Sequence, residues 1–268
     1  MGNVQPTRIL CMGDSLTEGM SSPRPDGSDN PPHPYSNELH KHLSMHIAVK
    51  NAGHSGFTAA QVLEQLEKEL KQVDTPYDII LIMAGTNDVL TREPQAIFDV
   101  LQKTWNLALG SGCKYVVALP ILEVTFDVTM MKNQKELNRL ILKHFESASS
   151  QASSPTDAER AEKGRLLCYD ICSAFPQDAL GDADTELYWS DPVHPTAEGY
   201  DRIAELIGGS FLEPLLTSEF KWTAGRDEAL FKAFDEEKDR FIERVSKETG
   251  FAAADVKSRL AALGKLAR

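Results

Sequence analysis

Cysteine is scarce in this chain, long apolar runs are missing, and no strong positive charge is present. The four cysteines are Cys11, Cys113, Cys168 and Cys172. Cys11 and Cys168 lie in apolar, strand-like runs and Cys113 just before one, the usual setting of buried free thiols. The Cys168/Cys172 spacing is half of a metal pattern, but no second Cys/His cluster completes it. No stretch approaches membrane-spanning length, and residues 1–7 hold no apolar signal region, so the expectation is no membrane span and a cytoplasmic, reducing location. The Met-Gly start has Pro6 where an N-myristoylation signal needs Ser or Thr. There is no Walker-type phosphate loop and no metal-ligand helix motif, so no cofactor is expected. The net charge of −12 argues against a chain that coats nucleic acid.

The 268 residues, 41% hydrophobic and 25% charged, are enough for one large soluble domain with a small appendage. The charge divides them: the first 216 residues carry −13, whereas residues 217–268 carry +1. We therefore expect a main domain over 1–216 and a helical appendage over 217–268.

Apolar runs suited to buried strands fall at residues 7–14, 47–51, 78–84, 115–122 and 166–171, the third apolar almost throughout. Helical patterns fall between and after them, at 35–46, 59–73, 94–109, 131–147 and 197–215. In the second of these, Val62, Leu66, Leu70 and Val73 form one stripe, and Pro94 opens the third at a first-turn position. Residues 21–34 are too rich in Pro and Gly for a regular element and read either as a pocket wall or as a solvated loop. A polar connector follows at 149–156. Five alternations of strand and helix predict a flavodoxin-like three-layer α/β/α fold. Its five-stranded parallel sheet would have the order 2-1-3-4-5, with a ligand-binding switch point at the end of the first strand.

That strand ends in Gly13-Asp14-Ser15-Leu16-Thr17-Glu18-Gly19. Asp14 and Ser15 suit a helix N-cap, and Ser15 equally suits a nucleophile at the sheet edge. A serine nucleophile needs a base, an acid that orients the base, and N–H donors for the oxyanion. Of seven histidines, His33, His40, His42 and His46 crowd the loop and helix after Ser15, and His144 lies in a polar helix. His54 sits in a Gly-rich turn. His194 stands apart in Asp191-Pro192-Val193-His194-Pro195, where prolines hold a carboxylate three positions from an imidazole; the same stretch also reads as a plain Pro-rich turn. Gly56, in Asn51-Ala52-Gly53-His54-Ser55-Gly56, can present a backbone N–H. Asn87, in Gly85-Thr86-Asn87-Asp88, can present an amide, although both stretches also suit ordinary β-to-α turns.

Taken together and in order, these blocks resemble the SGNH (GDSL) hydrolases across residues 8–195. The resemblance implies Ser15 as nucleophile, His194 as base and then acid, and Asp191 as its orienter. Ser15 N–H, Gly56 N–H and the Asn87 amide would form the oxyanion hole. It further implies a serine esterase or lipase acting on a small-molecule ester through an acyl-enzyme. The α/β-hydrolase elbow Gly-x-Ser-x-Gly is absent. Short-chain or acetyl esters are the first expectation, with a lysophospholipase or thioesterase on longer acyl chains, or a non-catalytic interaction module on the same scaffold, as alternatives. Residues 21–34, 123–129 and 175–190 would line the pocket, with Phe126, Tyr188 and Trp189 as apolar walls or as packing.

From Phe220 onward, short helical patterns carry Leu230, Phe234, Phe241, Ile242 and Val245 on an apolar face. Residues 220–263 faintly resemble a Myb/SANT-like unit, which would put Lys257 and Arg259 on its recognition helix. The near-neutral charge speaks against nucleic acid and for protein contacts or self-association.

Overall fold

In the computed structural model, the described residues are 5–23, 27, 28, 30–151, 164–219 and parts of 242–259. Strand β1 (Thr7–Gly13) forms because Ile9, Leu10, Cys11 and Met12 have no polar face to turn outward, and all four are fully buried. β1 leads into the one-turn helix α1 (Ser15–Glu18). Helix α2 (Tyr35–Glu38) follows the Pro-rich loop, and then β2 (Ile47–Gly53).

Helix α3 (Ala59–Lys71) starts on a capping box, in which the Gln61 side chain accepts the Thr58 N–H at 2.9 Å. It is followed by β3 (Ile79–Met83), buried at every position, and α4 (Pro94–Gly110), with Pro94 in the first turn. β4 (Tyr115–Ala118), α5 (Val128–Gln151) and β5 (Arg165–Cys168) complete the sheet. The short helices α6 (Ile171–Ala174) and α7 (Asp182–Tyr188) precede α8 (Ala197–Glu205).

All five strands are parallel and ordered β2-β1-β3-β4-β5, as expected. Every β2→β3→β4→β5 crossover runs one way, and α3, α4 and α5 pack side by side along it. The β1→β2 crossover runs the other way, and its helix α2 packs with α8. Right-handed connections put these two groups of helices on opposite faces of the sheet. The outer strands are half-solvated: β2 exposes Ala48 and Lys50, and β5 exposes Arg165.

Several element ends differ from the pattern. The helix expected at 35–46 stops after a 3-10 turn at Leu39–Lys41. The chain must already be straightening there, because the Thr7 N–H pairs with His46 O at 3.0 Å to start the β1/β2 ladder. β4 ends before Pro120, which has no N–H to give; the buried backbone of Ile121, no longer paired in the sheet, is instead satisfied by buried Asn138 from α5, at 3.1 and 2.8 Å. β5 ends at Cys168 because Asp170 caps α6, accepting Ser173 N–H at 3.1 Å. The helix expected at 197–215 widens into a π-helical stretch at Leu206–Leu212 before α9 (Glu213–Glu219). There a Cβ on Gly208 would lie 2.9 Å from His42 Cβ, so the backbone passes unusually close to its neighbour.

Cys11 and Cys113 are buried and all four thiols are free. Burial pushes Cys11, Cys168 and Cys172 up to about 12, which leaves them poor nucleophiles. Helix α5 extends through Gln151; the rest of the connector, and Leu230, Phe234, Phe241 and Lys257 of the tail, lie outside the described residues. Val245 is buried, and Ile242 and Arg259 are half-buried.

Candidate active site

β1 delivers Ser15 to the carboxyl edge of the sheet. Asp14 leaves the strand and caps α1, its Oδ1 accepting the Leu16 N–H at 3.0 Å. Ser15 is therefore the first helical residue, a position whose N–H has no partner within the helix. It is 8% exposed. The turn closes tightly against β2: a Cβ on Gly53 would lie 2.2 Å from the Glu18 nitrogen. Only glycine allows that approach. Asn51 secures it, donating to Thr17 O at 2.6 Å and Ser36 Oγ at 2.8 Å while accepting the Gly53 N–H at 2.8 Å.

His194 arrives from the turn between α7 and α8. Ser190 N–H donates to His194 O at 2.9 Å, and Trp189 bridges Pro195. Asp191 Oδ1 accepts the N–H groups of Val193 and His194 at 2.7 and 2.8 Å, folding the segment around the carboxylate. Asp191 Oδ2 lies 2.9 Å from His194 Nδ1 and accepts from Ser22 Oγ at 2.7 Å. A carboxylate only accepts, so Nδ1 carries the proton and Nε2 is left as an acceptor. Nε2 faces Ser15 Oγ at 3.0 Å. Three of the sequence-selected residues thus stand in one unbroken hydrogen-bond chain, in which Nε2 is placed where it can accept the Ser15 hydroxyl proton.

Two carboxyl groups near Ser15 are tuned in opposite directions. Burial disfavours charge on Asp191, but hydrogen bonds from His194, Ser22 and two backbone N–H groups outweigh it and hold the carboxyl well below the usual range. Burial dominates at Asp14 and pushes it up to about 6, despite the Leu16 N–H, Thr86 and the His194 ring beside it. Asp14 Oδ2 has no hydrogen-bond partner among the described residues.

The oxyanion candidates follow β2 and β3 on the same edge. His54 N–H donates to Gly13 O at 3.1 Å and pins the second turn beside the end of β1. Glu18 reinforces it by accepting the Ser55 N–H at 2.6 Å. Gly56 has φ +79° and open space beside it. Asn87 is exposed; its Nδ2 donates to Phe57 O at 2.9 Å and so joins the third turn to the second. The amide has two N–H groups, and this bond uses one. Asp88 holds the same junction from below, accepting the Ala59 N–H at 2.7 Å.

The expected wall residues separate. Phe126 is 59% exposed beside the His194 turn, to which its neighbour Thr125 is tied by N–H donation to Pro192 O at 3.1 Å. Leu90, in the turn after β3, and Val128, at the first position of α5, are likewise exposed. Trp189 is instead core, stacked on Phe175 at 5.1 Å, and Tyr188 packs edge-on against the same ring. His54 stacks on Phe57, and His144 packs among Phe98, Trp105 and Phe145. Among the described residues, the group whose ligand atoms cluster tightly enough for a metal ion is His33, Glu38 and Asp201, but Lys41 already pairs with Glu38. Ser22 is the site residue that pattern reading did not single out.

The profile of the GDSL-like Lipase/Acylhydrolase family matches residues 11–202. Similar solved structures include a member of the lipolytic protein G-D-S-L family from Veillonella parvula, with TM-score 0.57 and 21% identity over 76% of this chain and 98% of that one. A lipase/acylhydrolase from Enterococcus faecalis superposes with TM-score 0.52 and 20% identity, covering 76% and 96%. A GDSL-like lipase from Bacteroides thetaiotaomicron gives TM-score 0.52 and 19% identity, covering 76% and 87%. No curated protein matches the chain.

Proposed function

Because this chain belongs to the GDSL-like lipase/acylhydrolase family, we propose that it is a serine esterase that hydrolyses short-chain or acetyl carboxylic esters with Ser15, His194 and Asp191. The continuous chain from Ser15 Oγ through His194 to Asp191, with links of 3.0 and 2.9 Å, carries this reading.

Ser15 Oγ attacks the ester carbonyl carbon while its proton passes to His194 Nε2, and Asp191 stabilises the imidazolium that forms. The tetrahedral oxyanion accepts from Ser15 N–H, Gly56 N–H and the second Asn87 N–H. Collapse breaks the bond to the alcohol oxygen, which leaves with the proton from His194. Water then attacks the acyl-enzyme as His194 takes its proton; Ser15 is released with that proton and the acid departs. No step calls on a cofactor.

The exposed Leu90 and Phe126, on the segments after β3 and β4, and Val128 at the start of α5 favour a second reading, in which a longer acyl chain, as in a lysophospholipid or thioester, lies along them. Residues 1–216 would form the hydrolase unit in the cytoplasm. The appendage at 217–268 would serve protein contacts or self-association rather than nucleic acid, in keeping with its net charge of +1.

Hydrolysis of p-nitrophenyl esters from acetate to palmitate, by the native chain and Ser15→Ala, tests both readings. Turnover that peaks at acetate or butyrate and vanishes in Ser15→Ala is expected. A peak at palmitate selects the long-chain reading, and equal turnover in Ser15→Ala overturns both.

A further inference from the structure

The Asp191 carboxylate is fully subscribed. An ionised carboxylate offers about four acceptor positions, and here Oδ1 takes two backbone N–H groups while Oδ2 takes His194 Nδ1 and Ser22 Oγ. Ser22 and His194 are the two side chains that reach this carboxylate among the described residues, and they meet at the same oxygen. Ser22 lies 169 positions away in sequence, at the start of the Pro-rich loop that follows the nucleophile.

Its other groups are fixed as well. Ser22 N–H donates to Ser190 Oγ at 3.1 Å, and Ser190 Oγ donates to His194 O at 2.9 Å. Asn30 Nδ2 donates to Ser22 O at 2.6 Å, anchoring Ser22 from farther along the same loop. With its backbone held at both polar atoms, the Ser22 Cα is fixed beside Asp191, within reach of the Oδ2 to which the hydroxyl donates.

We propose that Ser22 is a positioning residue: by donating to Asp191 Oδ2 it fixes the carboxylate plane against His194, and it makes the Pro-rich loop part of the apparatus that orients the base. This rests on the assignment of Ser15, His194 and Asp191 as the reacting set. Without the Ser22 hydroxyl, Oδ1 is still held by the Val193 and His194 N–H groups, but Oδ2 keeps only His194 Nδ1, so the carboxylate can tilt about its Oδ1 anchor and the aim of His194 at Ser15 loosens. Ser22 touches no reacting atom. Its loss lowers the rate of the chemical steps and leaves substrate binding alone.

The test compares native chain, Ser22→Ala, Ser22→Thr and Ser15→Ala on p-nitrophenyl acetate, with proton NMR of the His194 Nδ1–H resonance. In Ser22→Ala, kcat is expected to fall about tenfold with KM unchanged, as for the loss of one hydrogen bond to a charged group. The downfield His194 Nδ1–H resonance should shift, and Ser22→Thr should restore both. A native kcat in Ser22→Ala, a loss that Ser22→Thr fails to restore, or an unmoved resonance overturns the proposal. If Ser15→Ala is itself fully active, it is the esterase reading that fails, and the two failures are thereby told apart.

Discussion

Ser15 Oγ and His194 Nε2 stand 3.0 Å apart although 179 positions separate them in the chain. The sheet makes this meeting possible: β1 is an interior strand, and both the turn that follows it and the turn before α8 sit over one edge.

If these two atoms work as one unit, removing either should cost nearly as much as removing both. Ser15→Ala and His194→Ala are each expected to lower kcat for p-nitrophenyl acetate on the order of 10⁴-fold or more, and the double variant to fall no further. Steady-state kinetics on the three variants provide the check. Losses that multiply in the double variant would mean that the two residues act independently.

Asn87 presents a different expectation. One of its amide N–H groups is used on Phe57 O at 2.9 Å, a bond that aims the other. Asn87→Ala should lower kcat about 10²- to 10³-fold, the usual loss for an oxyanion donor, with KM little changed. Asn87→Asp should do no better, because it replaces the donor with an acceptor. A rise in KM at constant kcat would place Asn87 in ground-state binding instead.

Asp14 makes stability depend on pH in an unusual direction. Its carboxyl is raised from 3.8 to about 6 in the fold, first by burial. Between those values the folded chain holds a proton that the unfolded chain has released, so this group's contribution declines as pH rises and the whole penalty is present above about 6. Two pKa steps correspond to about 3 kcal/mol. Asp14→Asn keeps an effective cap and removes the charge. It should raise the melting temperature at pH 7.5 by several degrees, with the gain gone at pH 4. Asp191 has the opposite sign, adding stability above the ordinary carboxylate range that is lost in acid, and it cancels when the two chains are compared at each pH. Equal melting temperatures at pH 7.5 would show that the Asp14 charge is well tolerated.

The sheet order was legible because five apolar runs alternate with helical patterns, and parallel pairing with right-handed crossovers leaves few arrangements. Element ends were not, because tertiary partners decide them. The π-helical stretch holds Gly208 where a Cβ would meet His42, a contact no local pattern announces, and β4 can end at Pro120 because Asn138 takes over the Ile121 backbone. At the site, Asp191 and His194 were readable as a local pair. The two readings of Asp14-Ser15 proved compatible: Asp14 caps α1, and that cap is what sets Ser15 at the sheet edge. Ser22 carried no signal, since a serine at the head of a Pro-rich loop is unremarkable until the fold sets it against Asp191. Trp189 stayed open between wall and packing because composition cannot separate an aromatic that packs on Phe175, as it does, from one that faces a ligand.

The two outer strands each carry a cation on an exposed position, Lys50 in β2 and Arg165 in β5. A parallel sheet with bare margins is a template on which a strand from another molecule can add, and repeated addition leads to aggregates. Charge at both margins raises the cost of such addition, since each newcomer must bury or displace an ammonium or guanidinium group. Charge placed there disfavours pairing with a further copy of the chain, while the apolar centre of the sheet, continuous along β3, stays enclosed.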